Sequence, residues 1–251
     1  MDIVIIGSGN MAAVLGRKAF DAGHVILQVA GRNRLEVEAL AKTLQASAGD
    51  LEHIDMRAML YILCISDKAL PSVHQWFQHP KAIVVHTAGS VSMEVLAPVA
   101  KNYGVLWPLQ SIRKEADPIP PFPLIIDANT PECLTILQDF GSTISSDLQQ
   151  MNDETRSKMH LAAVAAGNFS NHLFGLVKDY CDAEQLNMNL LLPLLRETVD
   201  RISYAHPREM QTGPAIRGDQ ATMDKHLKML EGNPALKNLY AYFSQLIKAN
   251  G

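Results

Sequence analysis

The sequence predicts an α/β fold, a doubly wound parallel sheet followed by a smaller all-helical domain. Three observations carry this. Short apolar, β-branched runs alternate with helical stretches through the first half of the chain. A glycine-rich turn, Gly7-Ser8-Gly9-Asn10-Met11-Ala12, follows the first run and opens a helix. After about residue 148 the strand pattern stops and only helical patterning continues. Near-continuous apolar strands separated by helices belong to a parallel sheet covered on both faces. Right-handed crossovers then wind such a sheet in both directions.

The elements follow in order. Residues 2–7 (DIVIIG) are a strand, and 11–23 a helix closed by Gly23. A second strand spans 24–31, and a helix with apolar residues at helical spacing spans 34–49. Strands are expected at 59–66, 82–89, 105–110 and 122–128, with helices at 68–78 and 92–104. The stretch PIPPFP at 118–123 is a rigid loop. From Asp153 onward no strand is expected. Residues 153–185 read as one long helix with Asp153 as N-cap, and 188–205 as a helix kinked or started near Pro193. Two more helices cover 219–232 and 234–250. The expected division is a Rossmann-type dinucleotide-binding domain at 1–148 and a helical substrate or dimerisation domain at 149–251.

Composition narrows the function classes. The 251 residues are about half apolar and carry a net charge of -4, which offers no basic footprint for nucleic acid or an anionic membrane. No apolar run approaches the ~20 residues of a membrane span, and the N-terminal run is too short for a signal peptide. Cys64, Cys133 and Cys181 form no metal spacing or disulfide framework, so no metal is expected and a reducing cytoplasm fits.

The glycine turn fits the Gly-x-Gly-x-x-Gly/Ala pattern. Gly7 permits the tight turn, Gly9 lets the backbone approach a pyrophosphate, and Ala12 is small enough for helix–strand packing. Its alternative is a tight turn without a ligand. The second strand ends without the carboxylate that would bond a ribose 2′-hydroxyl; Arg32 stands there, flanked by Asn33 and Arg34. A guanidinium pairs with a 2′-phosphate, so the expected cofactor is NADP. The plainer reading makes these arginines solvated charges at a helix start. At other strand ends, Ser66 and Asp67 are either cofactor contacts or helix caps, Thr87 faces the cofactor side, and His86 is either catalytic or packed. Gln110 ends a later strand, as a substrate contact or a solvated loop residue.

On the long helix, His160 and Asn171 are eleven residues apart, which at regular spacing leaves them ~20° apart on one face. Gly167 shares that stripe and suggests close approach of a backbone or flat ligand; Asn168 and His172 form a neighbouring stripe. Further on, Arg217 and His226 either face a cleft or belong to a capping turn begun by Asp219.

The runs IVIIGSGNMA and VAGRN resemble the NADP-dependent reductases of the pyrroline-5-carboxylate reductase and 6-phosphogluconate dehydrogenase-like superfamily. HTAGSVSMEVL, YGVLWPLQS, AAGNFSNHLFGL and TGPAIRGDQATMDKHLKML more closely resemble a Rossmann-like family whose helical C-terminal half is domain of unknown function 2520. The resemblance spans essentially the full chain. It implies an NADP-type domain and a helical domain that often dimerises, here a homodimer. It supplies no substrate. The β-hydroxyacid dehydrogenases carry Lys-x-x-x-Asn on the corresponding helix; four residues before Asn171 and Asn168 stand Gly167 and Val164. No Ser/Thr-rich substrate loop of the pyrroline-5-carboxylate reductase kind can be placed.

The resulting expectation is an NADPH-dependent reductase of a small C=N or C=O substrate held in the interdomain cleft. A general acid titrating near neutrality is needed. His160 is the first choice and His86 the second, with Asn171 and Asn168 as substrate hydrogen-bond partners and Arg217 as a carboxylate ligand. The alternatives are a non-catalytic NADP-binding regulatory protein and a reductase exchanging hydride with a deazaflavin.

Overall fold

The apolar run Asp2–Ile6 forms strand β1, whose last four residues are wholly buried. Seven more strands join it in the computed structural model, which describes residues 1–250 (of Asn250, the backbone only). They are β2 (Val25–Ala30), β3 (Ser47–Gly49), β4 (Leu60–Leu63), β5 (Ile83–His86), β6 (Asn102–Pro108), β7 (Leu124–Ala128) and β8 (Leu148–Gln150). The sheet order is β3-β2-β1-β4-β5-β6-β7-β8. The order reverses beside β1, the arrangement of a doubly wound Rossmann-like sheet.

Strand residues alternate between two faces. Ile3, Ile5, Val29, Ile62 and Val85 pack on one face with helices α1 (Asn10–Asp21), α2 (Arg34–Thr43) and α3 (Pro131–Ile144). Val4, Ile6, Tyr61, Leu63 and Val84 pack on the other, with 3-10 turns over Asp67–Gln75 and Met93–Leu96.

Several elements differ from expectation. The sheet is mixed, because β6 and β7 run antiparallel. A parallel pair needs a crossover, usually helical; residues 109–123 contain four prolines and form no helix. The expected 34–49 helix stops at Thr43, and its tail becomes edge strand β3. The expected 92–104 helix shrinks to one turn, with Pro98 following it and β6 beginning at Asn102. Helix α3 and strand β8 were not expected. Thr130 caps α3 by accepting from the Cys133 N–H, and Pro131 opens it.

The expected long helix is three segments. Helix α4 (Asp153–Ala163) passes into a π-helical stretch at Val164–Phe169, and α5 (Ser170–Ala183) follows. Its N-cap is Asn152, not Asp153: the Asn152 side chain accepts from the Thr155 N–H. Further on come α6 (Leu192–Arg201), which carries Pro193 in its first turn, α7 (Gln220–Met229) and α8 (Pro234–Asn250). Asp219 caps α7 as expected.

The chain divides into two compact units, Met1–Val164 and the residues from Ala165 onward. The first holds the sheet and α4. In the second, the described buried hydrophobics are only Cys181, Ala215, Met223 and Leu230. Among the described residues no helix is long and apolar enough to cross a membrane.

Candidate functional site

The glycine turn lies at the carboxyl end of β1, where open α/β sheets bind ligands. Gly7 has φ +124°, and a Cβ there would stand 2.2 Å from the Cys64 carbonyl oxygen. Only glycine lets β1 turn so close to β4. Burial pushes the Cys64 thiol up to about 12, so it is inert packing. Gly9 is exposed, has φ -78°, and a Cβ there would meet nothing within 4 Å. It is the N-cap of α1, which has no side-chain cap and no acidic residue in its first turn. The N–H groups of Asn10, Met11 and Ala12 therefore have no capping side chain at the positive dipole end. An open approach over Gly9 and uncapped donors suit a pyrophosphate.

Around the turn, Ser8 Oγ donates to Glu36 Oε2 at 3.1 Å. The Asn10 side chain accepts from the Lys114 N–H at 3.4 Å. At the end of β2, Asn33 caps α2 and Arg34 Nε donates to Glu38 Oε1 at 2.7 Å. Arg32 is exposed and makes no ion pair among the described residues, so its guanidinium is uncommitted.

At the ends of β4 and β5, Ser66 occupies an N-cap position without a side-chain bond. Asp67 accepts from Ser90 Oγ at 3.0 Å, which joins the two strand ends. Thr87 is buried and donates to the Leu63 carbonyl at 3.4 Å, a packing role that leaves its hydroxyl inside. His86 is wholly buried. Its Nδ1 accepts from the Ala88 N–H at 3.2 Å, and its Nε2 has no hydrogen-bond partner. The Ser92 backbone, Asp153 and Asp67 favour its charged form, but weakly. Burial first, then the neighbouring Arg156 charge, hold His86 down to about 4. It is neutral at pH 7 and closed to solvent, so the packed reading fits it and a proton-donor role does not.

His160 is differently placed. It sits on α4, half-buried, with its ring edge-on to Trp107 at 5.6 Å between centroids. A Cβ on Gly89 would fall 2.7 Å from His160 Nδ1 and 2.7 Å from Trp107 Cε2. Among the described residues neither ring nitrogen of His160 has a hydrogen-bond partner. The histidine therefore rests by shape on the loop after β5 with its donors unspent.

Arg156, which was not foreseen, and Asp153, expected only as a helix cap, complete this corner. Arg156 is 1% exposed and donates from Nη2 to the Val91 carbonyl and to Asp153 Oδ1. Its Nε and Nη1 have no partner. Each buried donor left unpaired costs about 1–3 kcal/mol, so the position of this guanidinium is dearly held. Burial opposes ionisation of Asp153, but bonds from Ser92, Arg156 and the Met93 N–H together hold its carboxyl below the usual range. The sequence signal for Arg156 is a cation in the first turn of a helix, where the dipole disfavours it.

In the second unit, Asn168, Asn171 and Arg217 are exposed and make no side-chain hydrogen bond among the described residues. Asn168 lies in the π-helical stretch, whose i→i+5 spacing breaks the regular periodicity that grouped His160, Gly167 and Asn171. A Cβ on Gly167 would meet nothing within 4 Å, so that glycine serves no close approach in this chain. His226 is committed to Tyr240, 2.8 Å from its hydroxyl. Gln110 is exposed and accepts from the Ser111 N–H. Among the described residues no three His, Cys, Asp or Glu side chains group as a metal site.

Residues 122–247 match the family profile described as domain of unknown function DUF2520, which thus begins in β7 and includes α3 and β8. Residues 2–90 match the profile described as NADP oxidoreductase, coenzyme F420-dependent. A Bacteroides fragilis protein assigned to the NADP oxidoreductases is 34% identical, with a TM-score of 0.92 over 99% of this chain and 98% of that one. The fold is also that of an Aspergillus terreus reductive aminase solved with NADPH and ethyl-5-oxohexanoate (13% identical, TM-score 0.72, 99% and 92% covered). It is shared with 1-pyrroline-5-carboxylate reductase from Streptococcus pyogenes (14%, 0.64, 99% and 98%). No curated protein matches the chain.

Proposed function

The chain belongs to the family of NADP oxidoreductases whose C-terminal region is DUF2520, and from that premise we propose that it reduces a small C=N or C=O substrate with His160 as proton donor. When bound, the nicotinamide supplies the hydride. The chain supplies the rest. The glycine turn and α1 hold the pyrophosphate, and Arg32 pairs the 2′-phosphate. His160 gives a proton to the nitrogen or oxygen of the reduced substrate. In the second unit, Asn168, Asn171 and Arg217 are exposed and without side-chain partners among the described residues, which leaves the amides available to a substrate's polar group and the guanidinium to a carboxylate.

The observation that carries the reading is the state of His160. It is the half-buried histidine with both ring nitrogens uncommitted, seated at the carboxyl end of the parallel strands. A positioned general acid contributes about 10²–10⁴-fold. We therefore expect His160→Ala to lower kcat by about that factor while NADPH affinity, read by fluorescence titration, stays within twofold. Unchanged turnover would remove His160 from the chemistry.

Two observations favour other readings. Gly167 and Val164 stand where the β-hydroxyacid dehydrogenases carry an acid–base lysine, which favours a protein that holds NADP without turning it over. The profile matched by residues 2–90 favours a deazaflavin as hydride partner. The three cysteines are free and buried, which suits a reducing cytoplasm. A homodimer through the helical unit is favoured by its exposed apolar side chains: Leu190 (77%), Tyr204 (71%), Phe169 (66%), Val199 (63%) and Ile202 (61%).

A further inference from the structure

The loop that follows β5, residues 87–92, is held from three sides. Ser90 Oγ donates to Asp67 Oδ2 at 3.0 Å. Ser92 Oγ and the Met93 N–H donate to Asp153, the latter at 3.2 Å. Arg156 Nη2 donates to the Val91 carbonyl and to Asp153 Oδ1. Gly89 lies at the middle of this loop, where a Cβ would stand 2.7 Å from both His160 Nδ1 and Trp107 Cε2. Its φ is not in the left-handed region, so the backbone accepts any side chain and the crowding alone demands glycine.

Arg156 and His160 are four residues apart on α4 and share a face of that helix. The helix that presents the histidine thus also grips the loop on which the histidine rests. A buried guanidinium with unpartnered Nε and Nη1 is a poor choice for filling space, since an apolar side chain of similar volume packs there at less cost. What the guanidinium adds is geometry, joining a loop carbonyl and a helix carboxylate at one point.

We propose that loop 87–92 is a fixed seat for the His160 ring, with Gly89, Asp153 and Arg156 as positioning residues, and that the seat makes Nε2 the proton-transferring nitrogen. This rests on the reading of His160 as proton donor. With Nδ1 turned against Gly89, the imidazolium loses its Nε2 proton to the alkoxide or amine of the reduced substrate. The Nε2–H bond breaks, an O–H or N–H bond forms, and the neutral ring keeps its proton on Nδ1.

The test is a pair of double-mutant cycles on the full chain, Gly89→Ala and Arg156→Met, each made with and without His160→Ala. In the wild-type background each is expected to lower kcat at least tenfold, with NADPH affinity and circular dichroism unchanged. In the His160→Ala background each is expected to change kcat less than twofold, because the group being positioned is gone. A merely structural role would give equal losses in both backgrounds and would overturn the proposal, as would full activity of both single variants. If His160→Ala alone leaves turnover intact, the underlying reading fails instead. A second readout needs no turnover. With Trp76→Phe, Trp107 is the remaining indole, and protonation of the adjacent His160 is expected to quench its emission. That step should vanish in Arg156→Met, which adds no atom against Trp107, and its persistence there counts against the seat. Should Gly89→Ala not fold, the Arg156→Met cycle decides alone.

Discussion

His86 and His160 are both histidines on one side of the sheet, and their surroundings give them opposite roles. His86 is buried among Arg156, Asp153, Asp67 and the Ser92 backbone, and is held down to about 4. Its unfolded value is near 6.5, so between pH 6.5 and 4 the unfolded chain binds a proton that the folded chain refuses. Stability therefore falls as the pH drops through that window, by about 3 kcal/mol once it is crossed. Urea unfolding at pH 7 and pH 4.5 checks this, with His86→Gln flattening the difference. Equal slopes in wild type and variant would show that His86 does not carry it. Sequence alone named both histidines and placed His160 first, but it could not show the surroundings that separate them. Full burial of one and half-burial of the other depend on Trp107, Gly89 and Arg156, which come from three separate segments.

Strand, turn and helix make a testable unit in β1, residues 7–9 and α1. Gly7→Ala puts a methyl group into the Cys64 carbonyl at a positive φ; we expect a loss of several kcal/mol, near the upper range for single substitutions, read as a large drop in Tm. Gly9→Ala places its methyl group in open space at an ordinary φ. We expect its Tm to hold and its NADPH affinity to fall at least tenfold. Loss of stability at Gly9, or unchanged affinity, would contradict the cradle. This unit was legible because its signals are local: a β-branched run, glycines at fixed offsets, then helical periodicity. The antiparallel β6–β7 pair and the short edge strands were not legible. A three-residue strand such as β3 is set by its neighbour β2 rather than by its own residues. The π-helical stretch at Val164–Phe169 was hidden for another reason. Its composition is that of an α-helix, and one extra residue per turn leaves no mark in VAAGNF.

For the molecule as a whole, the sequence announced a sheet-bearing part and a helical part because strand patterning stops near residue 148. It did not announce how little the helical part buries. Leu190, Ile202 and Tyr204 are large apolar residues of the kind that fill a core, yet they are exposed in the single chain. Sedimentation at micromolar concentration should return the mass of a dimer, and a monomer would remove the homodimer reading. The central claim is that the dinucleotide is used and not only held. Its most direct test is stopped-flow loss of NADPH absorbance, with the wild-type chain mixed against cyclic imines, 2-oxo acids and a deazaflavin. A reductase oxidises NADPH in a single turnover with at least one imine or carbonyl compound, and does so far more slowly as His160→Ala. NADPH that binds but is oxidised by none of them would contradict it, and oxidation by the deazaflavin alone would move the chain to the other hydride partner.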